Sequence, residues 1–122
     1  MGFGNCRVLG CDVPRKLELV GMRAWLREPG KRGHTIHVPN ELEVFQQLVD
    51  GYIECVTVDS EALVICDEEG RLKDKPYNCT ICGVDFVGTI VIVGRDGPEF
   101  DDLPMGWVKN LNQWEAANEG TY

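Results

Sequence analysis

Apolar side chains recur at helical spacing in the stretch NELEVFQQLVDG, residues 40–51. One stripe collects four of them: Leu42, Phe45, Leu48 and Val49. Asn40 can accept hydrogen bonds from the first-turn amides, and Glu43 stands three residues on, where it can complete a capping box. Gly51 follows the last turn, where a left-handed residue ends many helices. The pattern predicts a capped helix whose stripe packs on a sheet, because so short a helix is marginal alone.

Alternating and β-branched runs predict strands on both sides of this helix. The predicted strands are Arg23 to Glu28, His34 to Val38, Tyr52 to Val58, Leu63 to Cys66, Val84 to Val87 and Thr89 to Val93. Turns such as Pro29 to Gly33 separate neighbouring strands, so the sheet is expected to be built of hairpins. The run from 84 to 93, interrupted at Gly88, is the most hydrophobic in the chain and is expected at the centre of the sheet.

A second apolar stripe predicts a helix near the end of the chain. Its residues are Trp107, Leu111 and Trp114. The helix is expected from about Pro104 to Asn118, with the acidic residues 99–102 as its cap and first-turn charge. Its Trp rings bury enough area to close one face of the sheet. The expected fold is α+β, a small mixed or antiparallel sheet of about five strands with two helices packed on it.

The chain of 122 residues is long enough for one domain with its own core. That domain is expected at residues 22–122, after an N-terminal extension at residues 1–21 whose short apolar pieces could add an edge strand. No apolar run is long enough to span a bilayer, and no signal-peptide pattern opens the sequence. A cytoplasmic location in a host cell is therefore expected.

The net charge of −8 is distributed unevenly along the chain. Residues 1–33 hold seven basic and three acidic residues, a balance of +4, whereas the other 89 residues hold five basic and 17 acidic residues, a balance of −12. An acidic body disfavours direct binding of a nucleic-acid backbone. It favours a basic protein partner, because complementary charges steer association. The alternative is that the acidity serves solubility alone.

Carboxylates cluster in two predicted turns, and loop tips are exposed and free to reach a partner. These candidate partner-binding residues are Asp67, Glu68, Glu69, Glu99, Asp101 and Asp102. The basic first hairpin offers a competing site, because a small anionic ligand needs a basic or aromatic pocket. Its candidate ligand-binding residues are Arg23, Trp25, Arg27 and Lys31.

Six cysteines raise a question of metal binding. Two pairs, Cys6 with Cys11 and Cys79 with Cys82, could together supply four thiolates to a tetrahedral zinc ion. The alternative is that these cysteines are small buried apolar residues. A disulfide is disfavoured in a reducing compartment. The two remaining cysteines, at 55 and 66, lie within predicted strands and are expected in the core.

No catalytic signature is present in the sequence. It lacks a nucleophile elbow, a phosphate-binding loop, a zinc-protease helix motif and a dinucleotide fingerprint. Its two His, His34 and His37, lie in one predicted hairpin on opposite faces of a strand. We therefore expect a protein that is not an enzyme.

Several short motifs occur in a fixed order. They are MRAWLREPGK at 22–31, GYIE at 51–54, DEEGRL at 67–72, Pro76 with Asn78, and VGTIVIVG at 87–94. In these motifs the chain resembles a family of small phage, plasmid and conjugative-element proteins known only as domain of unknown function thirty-eight forty-six. The resemblance covers roughly residues 22–103 and implies an origin in a mobile genetic element, but it brings no activity. The two cysteine pairs and residues 1–21 depart from the family pattern.

Two classes of function remain. The first is a non-enzymatic, anti-defence inhibitor of the anti-CRISPR or anti-restriction type, whose acidic body occupies a basic nucleic-acid channel by imitating phosphate charge. The second is a small-molecule sponge that sequesters a nucleotide signal in the basic hairpin. A small zinc-stabilised structural domain is a further alternative.

Overall fold

The computed structural model describes residues 21–117. Its strands are β1 (Met22–Arg27), β2 (His34–Val38), β3 (Ile53–Asp59), β4 (Ala62–Asp67), β5 (Tyr77–Ile81), β6 (Val84–Val87), β7 (Ile90–Asp96) and β8 (Glu99–Asp101). Its helices are α1 (Leu42–Val49) and α2 (Met105–Ala117). The predicted N-terminal extension lies outside the described residues, apart from its last residue, Gly21.

The main sheet has the strand order β2-β1-β7-β4-β3, and β8 adds a sixth strand by pairing with the end of β7. Each of these pairings is antiparallel. The hairpin of β5 and β6 forms a separate two-stranded sheet. The predicted α+β class with two helices is confirmed, and β7 lies at the centre of the sheet, as its apolar sequence predicted.

Only the second part of the apolar run 84–93 lies at the centre of the main sheet, whereas the prediction placed both parts there. Gly88 divides the run with a φ of 73°, a left-handed conformation that side-chain-bearing residues seldom adopt. The Gly88 amide donates to the carbonyl of Pro76 at 2.8 Å. Residues 84–87 therefore turn back into the second sheet as β6, while the residues after Gly88 enter the main sheet as β7.

Helix α1 covers one face of the main sheet. The buried residues of this cluster are Ala24, Val38, Phe45, Val49, Leu63, Ile65, Val91 and Val93. Helix α2 and the β5–β6 hairpin cover the other face. The buried residues there are Trp25, Ala62, Val64, Cys66, Cys79, Phe86, Ile90, Ile92, Leu103, Val108 and Leu111. The sheet is thus the middle of three layers, which explains why every residue of β4 is buried.

The details at the two ends of α1 differ from the sequence prediction. Leu42 is 53% exposed and does not belong to the buried stripe, whereas Phe45 and Val49 are 1% exposed, as predicted. The residue before the helix is Glu41 rather than Asn40, and it makes no side-chain capping bond. The left-handed residue at the other end is Asp50, with a φ of 60°, rather than Gly51.

Helix α2 is confirmed, with Trp107 and Trp114 partly buried against the core. The acidic residues 99–102 do not supply its cap or first-turn charge, because residues 99–101 are drawn into the sheet as β8 and the first turn holds no acidic residue. Neither helix in residues 21–117 is long and apolar enough to cross a membrane.

Candidate functional site

Two segments that carry the family resemblance, 51–54 and 67–72, meet at one end of the main sheet. Ile53 pairs with Asp67, the last residue of β4, and the Glu68 amide donates to the carbonyl of Tyr52 at 2.8 Å. The loop after β4 then returns to the same place, because the Lys75 amide donates to the carbonyl of Gly70 at 3.0 Å.

Asp67 is the buried centre of this end of the sheet. Its side chain is 1% exposed, and Oδ2 accepts hydrogen bonds from Lys75 Nζ at 2.7 Å and Lys73 Nζ at 3.0 Å. Oδ1 accepts a third bond from the Glu69 amide at 2.9 Å. Burial alone would raise the pKa of Asp67, but the hydrogen bonds from Lys75, Glu69 and Lys73 outweigh it and hold that pKa at about 2. The prediction of an exposed Asp67 is therefore wrong.

The same two lysines hold the C-terminus of α1. Lys75 Nζ donates to the carbonyls of Val49 at 2.8 Å and Asp50 at 2.9 Å, and Lys73 Nζ reaches the Asp50 carbonyl at 3.3 Å. A helix C-terminus carries unsatisfied carbonyls and partial negative charge, so two ammonium groups are stabilising there. Gly51 is needed for this packing, since a Cβ at this position would overlap the Asp67 carboxylate. The cluster of Asp67, Lys73 and Lys75 therefore has a structural role, because it holds α1, β4 and the loop after β4 together.

The surface around this cluster is acidic and carries exposed apolar side chains. We call five exposed residues the acidic end of the sheet: Tyr52, Glu54, Glu68, Glu69 and Leu72. Tyr52 is 67% and Leu72 is 84% exposed. An open cleft of about 470 Å³ lies between α1 and the turn after β4, with Tyr52 and Glu69 in its lining. The arrangement combines negative charge with apolar anchors on one surface.

The two acidic clusters predicted from the sequence lie at opposite ends of the main sheet. β4 ends beside the start of β7, because Ile65 pairs with Val91 in antiparallel register. β8 pairs instead with the last residues of β7, 94–96. The cluster at 67–69 and the cluster at 99–102 therefore do not form one surface.

A buried ion pair lies on the other face of the sheet. Arg27 Nε donates to Glu115 Oε2 at 2.9 Å, and the two side chains are 5% and 0% exposed. The same Oε2 accepts the Gly33 amide at 2.8 Å. Arg27 Nη1 donates to Oδ1 and the carbonyl of Asn78 at 2.6 and 2.9 Å, and its guanidinium lies 5.1 Å from the Trp114 ring centroid. The network joins β1, β5, α2 and the β1–β2 turn.

The four residues predicted as an anion site do not form an open pocket. Trp25 and Arg27 are 1% and 4% exposed, and both belong to the interior. Arg23 Nε donates to a backbone carbonyl at 2.8 Å. Lys31 is exposed in the turn and pairs with Glu28 at 3.1 Å. Within residues 21–117 these four side chains are either buried, bonded to other groups of the protein or too far apart to bind one ligand together.

Sequence reasoning missed Glu115, although a signal for it exists. Val108 and Leu111 are buried in α2, and Glu115 continues their spacing on the same side of the helix. A carboxylate at a core position of an apolar stripe indicates a buried cation partner, because an unpaired buried charge is costly.

The structure tests the predicted zinc site only in part, because Cys6 and Cys11 lie outside the described residues. Cys79 is buried in β5, and burial raises the pKa of its thiol to about 11 despite the nearby Arg27. Cys82 is exposed in the following turn, with a φ of 51°. In the part of the chain that the structure describes, no three His, Cys, Asp or Glu side chains are grouped so that they could hold a metal ion.

The two strand cysteines take opposite positions. Cys66 is buried in β4, as predicted, and burial raises the pKa of its thiol to about 11. Cys55 is exposed, so its placement in the core was wrong. The reason is its position, because β3 is the last strand of the main sheet among the described residues. Only Ile53, Val56 and Val58 of its seven residues are partly covered, and the other four are exposed.

No curated protein and no solved structure shows a significant match to this chain. One family model, described as a domain of unknown function (DUF3846), matches residues 22–114. The match spans the sheet and most of α2, and it includes each motif on which the resemblance rested. The chain therefore belongs to the DUF3846 family.

Proposed function

We propose that this protein is a small acidic product of a mobile element that inhibits a bacterial defence protein by binding it, without chemistry of its own. The target is of the CRISPR-effector or restriction-enzyme type, because these proteins carry basic channels for nucleic acid. The acidic end of the sheet docks on such a basic surface and competes with phosphate charge.

The observation that carries this proposal is the composition of the acidic end. Glu54 and Glu68 are exposed and form no ion pair within residues 21–117, so their charge is available to a partner. Tyr52 and Leu72 stand exposed beside them. Tyrosine is a frequent anchor in interfaces, and carboxylates around an anchor provide orientation and a faster on-rate.

A nucleotide sponge is the competing function, and the structure offers it less support. Trp25 and Arg27 are buried, and Arg27 is bound to Glu115 and Asn78. A ligand would therefore have to displace bonds that hold the fold. Among the predicted basic residues, Lys31 is exposed. It is the residue to substitute in a test of the sponge, because its substitution leaves the buried network intact.

The test is a cleavage assay with purified defence nucleases at several salt concentrations. Inhibition should saturate near one chain per target and weaken as salt rises, because screening shortens the range of charge attraction. The double variant Glu68→Lys, Glu69→Lys should lose inhibition mainly through a slower on-rate.

The matched control is the same two-charge reversal at the opposite end of the sheet, Glu99→Lys with Asp101→Lys. It should leave inhibition nearly unchanged. Equal loss in both double variants would show that net charge alone matters and would contradict a defined docking surface. Loss in Lys31→Glu alone would favour the sponge.

A further inference from the structure

A groove of about 210 Å³ lies between β6 and the face of the main sheet that β3 and β4 share. Val56 of β3 and Cys66 of β4 line it from the sheet, and Val84 of β6 lines it from the hairpin. Leu72 stands at its rim, 84% exposed, and Val84 is 37% exposed. The groove therefore offers an apolar lining that water reaches in the isolated chain.

Two strand edges border this groove. β3 is the last strand in the order of the main sheet, and β6 pairs with β5 alone among the described strands. An edge strand presents unpaired backbone donors and acceptors on its outer side, which can pair with an added strand. On β6, Arg71 Nη2 already donates to the carbonyl of Asp85 at 2.8 Å. The seven-residue β3 is the longer of the two edges.

The charges along the groove are mostly negative. Glu54, Glu68 and Asp85 line it, and none of them forms an ion pair within residues 21–117. The charge of Asp67 is balanced by its two lysines. Arg71 is the basic residue in the lining, and its guanidinium is directed to a backbone carbonyl. The electrostatic environment favours a cationic occupant.

We propose that this groove binds an extended, lysine- or arginine-rich segment of the partner protein as an additional strand along β3. Successive side chains of a strand point to opposite faces, so alternate residues of the segment enter the groove. Glu54 and Val56 lie two positions apart on β3 and both line the groove, so the residues that enter it are apolar beside Val56 and Val84 and basic beside Glu54 and Glu68. The inference rests on the proposed function and specifies how the acidic end recognises its partner.

The experiment is a titration of the full chain, followed by amide NMR, with a blocked eight-residue peptide. Lysine and valine take turns at every second position, so that both lie on one face, and threonine occupies the positions between them. Backbone signals of β3 and β6 should shift. A peptide with glutamate in place of lysine should not bind, because it meets like charge. A peptide N-methylated at every second amide should also fail, because it cannot complete the strand pairing.

Two protein variants complete the test. Val84→Lys places a positive charge in the groove and should weaken binding of the lysine peptide by about tenfold through repulsion. Leu42→Lys makes the same change of charge at an exposed apolar residue of α1 that does not line the groove, and it should bind as the wild type does.

The inference is overturned if the peptide does not bind, if its shifts fall outside β3 and β6, or if N-methylation or Val84→Lys leaves affinity unchanged. These outcomes are separate from those of the proposed function. If inhibition depends on Glu68 and Glu69 but the peptide does not bind, the acidic end still docks on the partner and strand addition is rejected. Peptide binding without inhibition of a defence nuclease would reject the proposed function and retain a groove for basic segments.

Discussion

The buried carboxylate of Asp67 leads to a prediction about how stability depends on pH. Its pKa is held at about 2, whereas an unfolded chain gives an aspartate about 3.9. A pKa that is lower in the folded state adds stability above the unfolded pKa, and this stability is lost as pH falls through the folded pKa. The difference of nearly two units corresponds to about 2.6 kcal/mol at neutral pH. Most of that, about 2 kcal/mol, should disappear between pH 6 and pH 2.

The perturbation is Asp67→Asn, which keeps the size of the side chain and removes its charge. Lys75 is 16% exposed and loses its partner, so the variant should be less stable than the wild type by about 3–5 kcal/mol at pH 7. Lys73 is 41% exposed and can turn to water, which limits its share of the loss.

The assay is urea unfolding of both proteins at a series of pH values from 7 to 2. The difference in unfolding free energy between wild type and variant should shrink by about 2 kcal/mol as the pH falls, because the wild-type carboxylate becomes protonated. A difference that stays constant across this range would refute the argument, since it would mean that Asp67 has the same pKa in the folded and unfolded chains.

Four further substitutions test the packing, each by urea unfolding at neutral pH. Glu115→Gln should cost about 3 kcal/mol, because it removes the carboxylate that pairs with the buried Arg27; a cost below 1 kcal/mol would contradict this. Gly51→Ala should destabilise by about 1–3 kcal/mol through overlap with a carboxylate, whereas Gly106→Ala, in open space on α2, should stabilise by about 0.5–1 kcal/mol. Phe45→Ala should cost about 3–5 kcal/mol, and an unchanged midpoint would reject its core position.

Periodicity predicted those parts of the fold that depend on local pattern. Phe45 and Val49 are buried because the apolar spacing of α1 matches the sheet beneath it. The central position of β7 followed from its unbroken apolar run. Leu42 was misplaced because it is the first residue of the helix, while Val44 contributes to the buried side instead.

The candidate site could not be predicted in full, because its residues contact partners that lie far from them in the sequence. The run of acidic residues that begins at the end of β4 has the composition of a solvated turn, and nothing local distinguishes Asp67 from its neighbours. It is buried because the loop brings two lysines back to it from six and eight positions further along the chain. Arg27 was likewise interpreted as a surface cation, because its partner Glu115 lies 88 residues away.

The central position of β7 determines when the sheet can be completed during synthesis. β1 with β2, and β3 with β4, are hairpins that close soon after they leave the ribosome, whereas β7 joins both and is translated later. Until residues 90–96 emerge, the two hairpins have no strand to connect them, and the edges of β1 and β4 remain open to other chains. A message truncated before Ile90 would yield an aggregation-prone pair of hairpins rather than a smaller working domain.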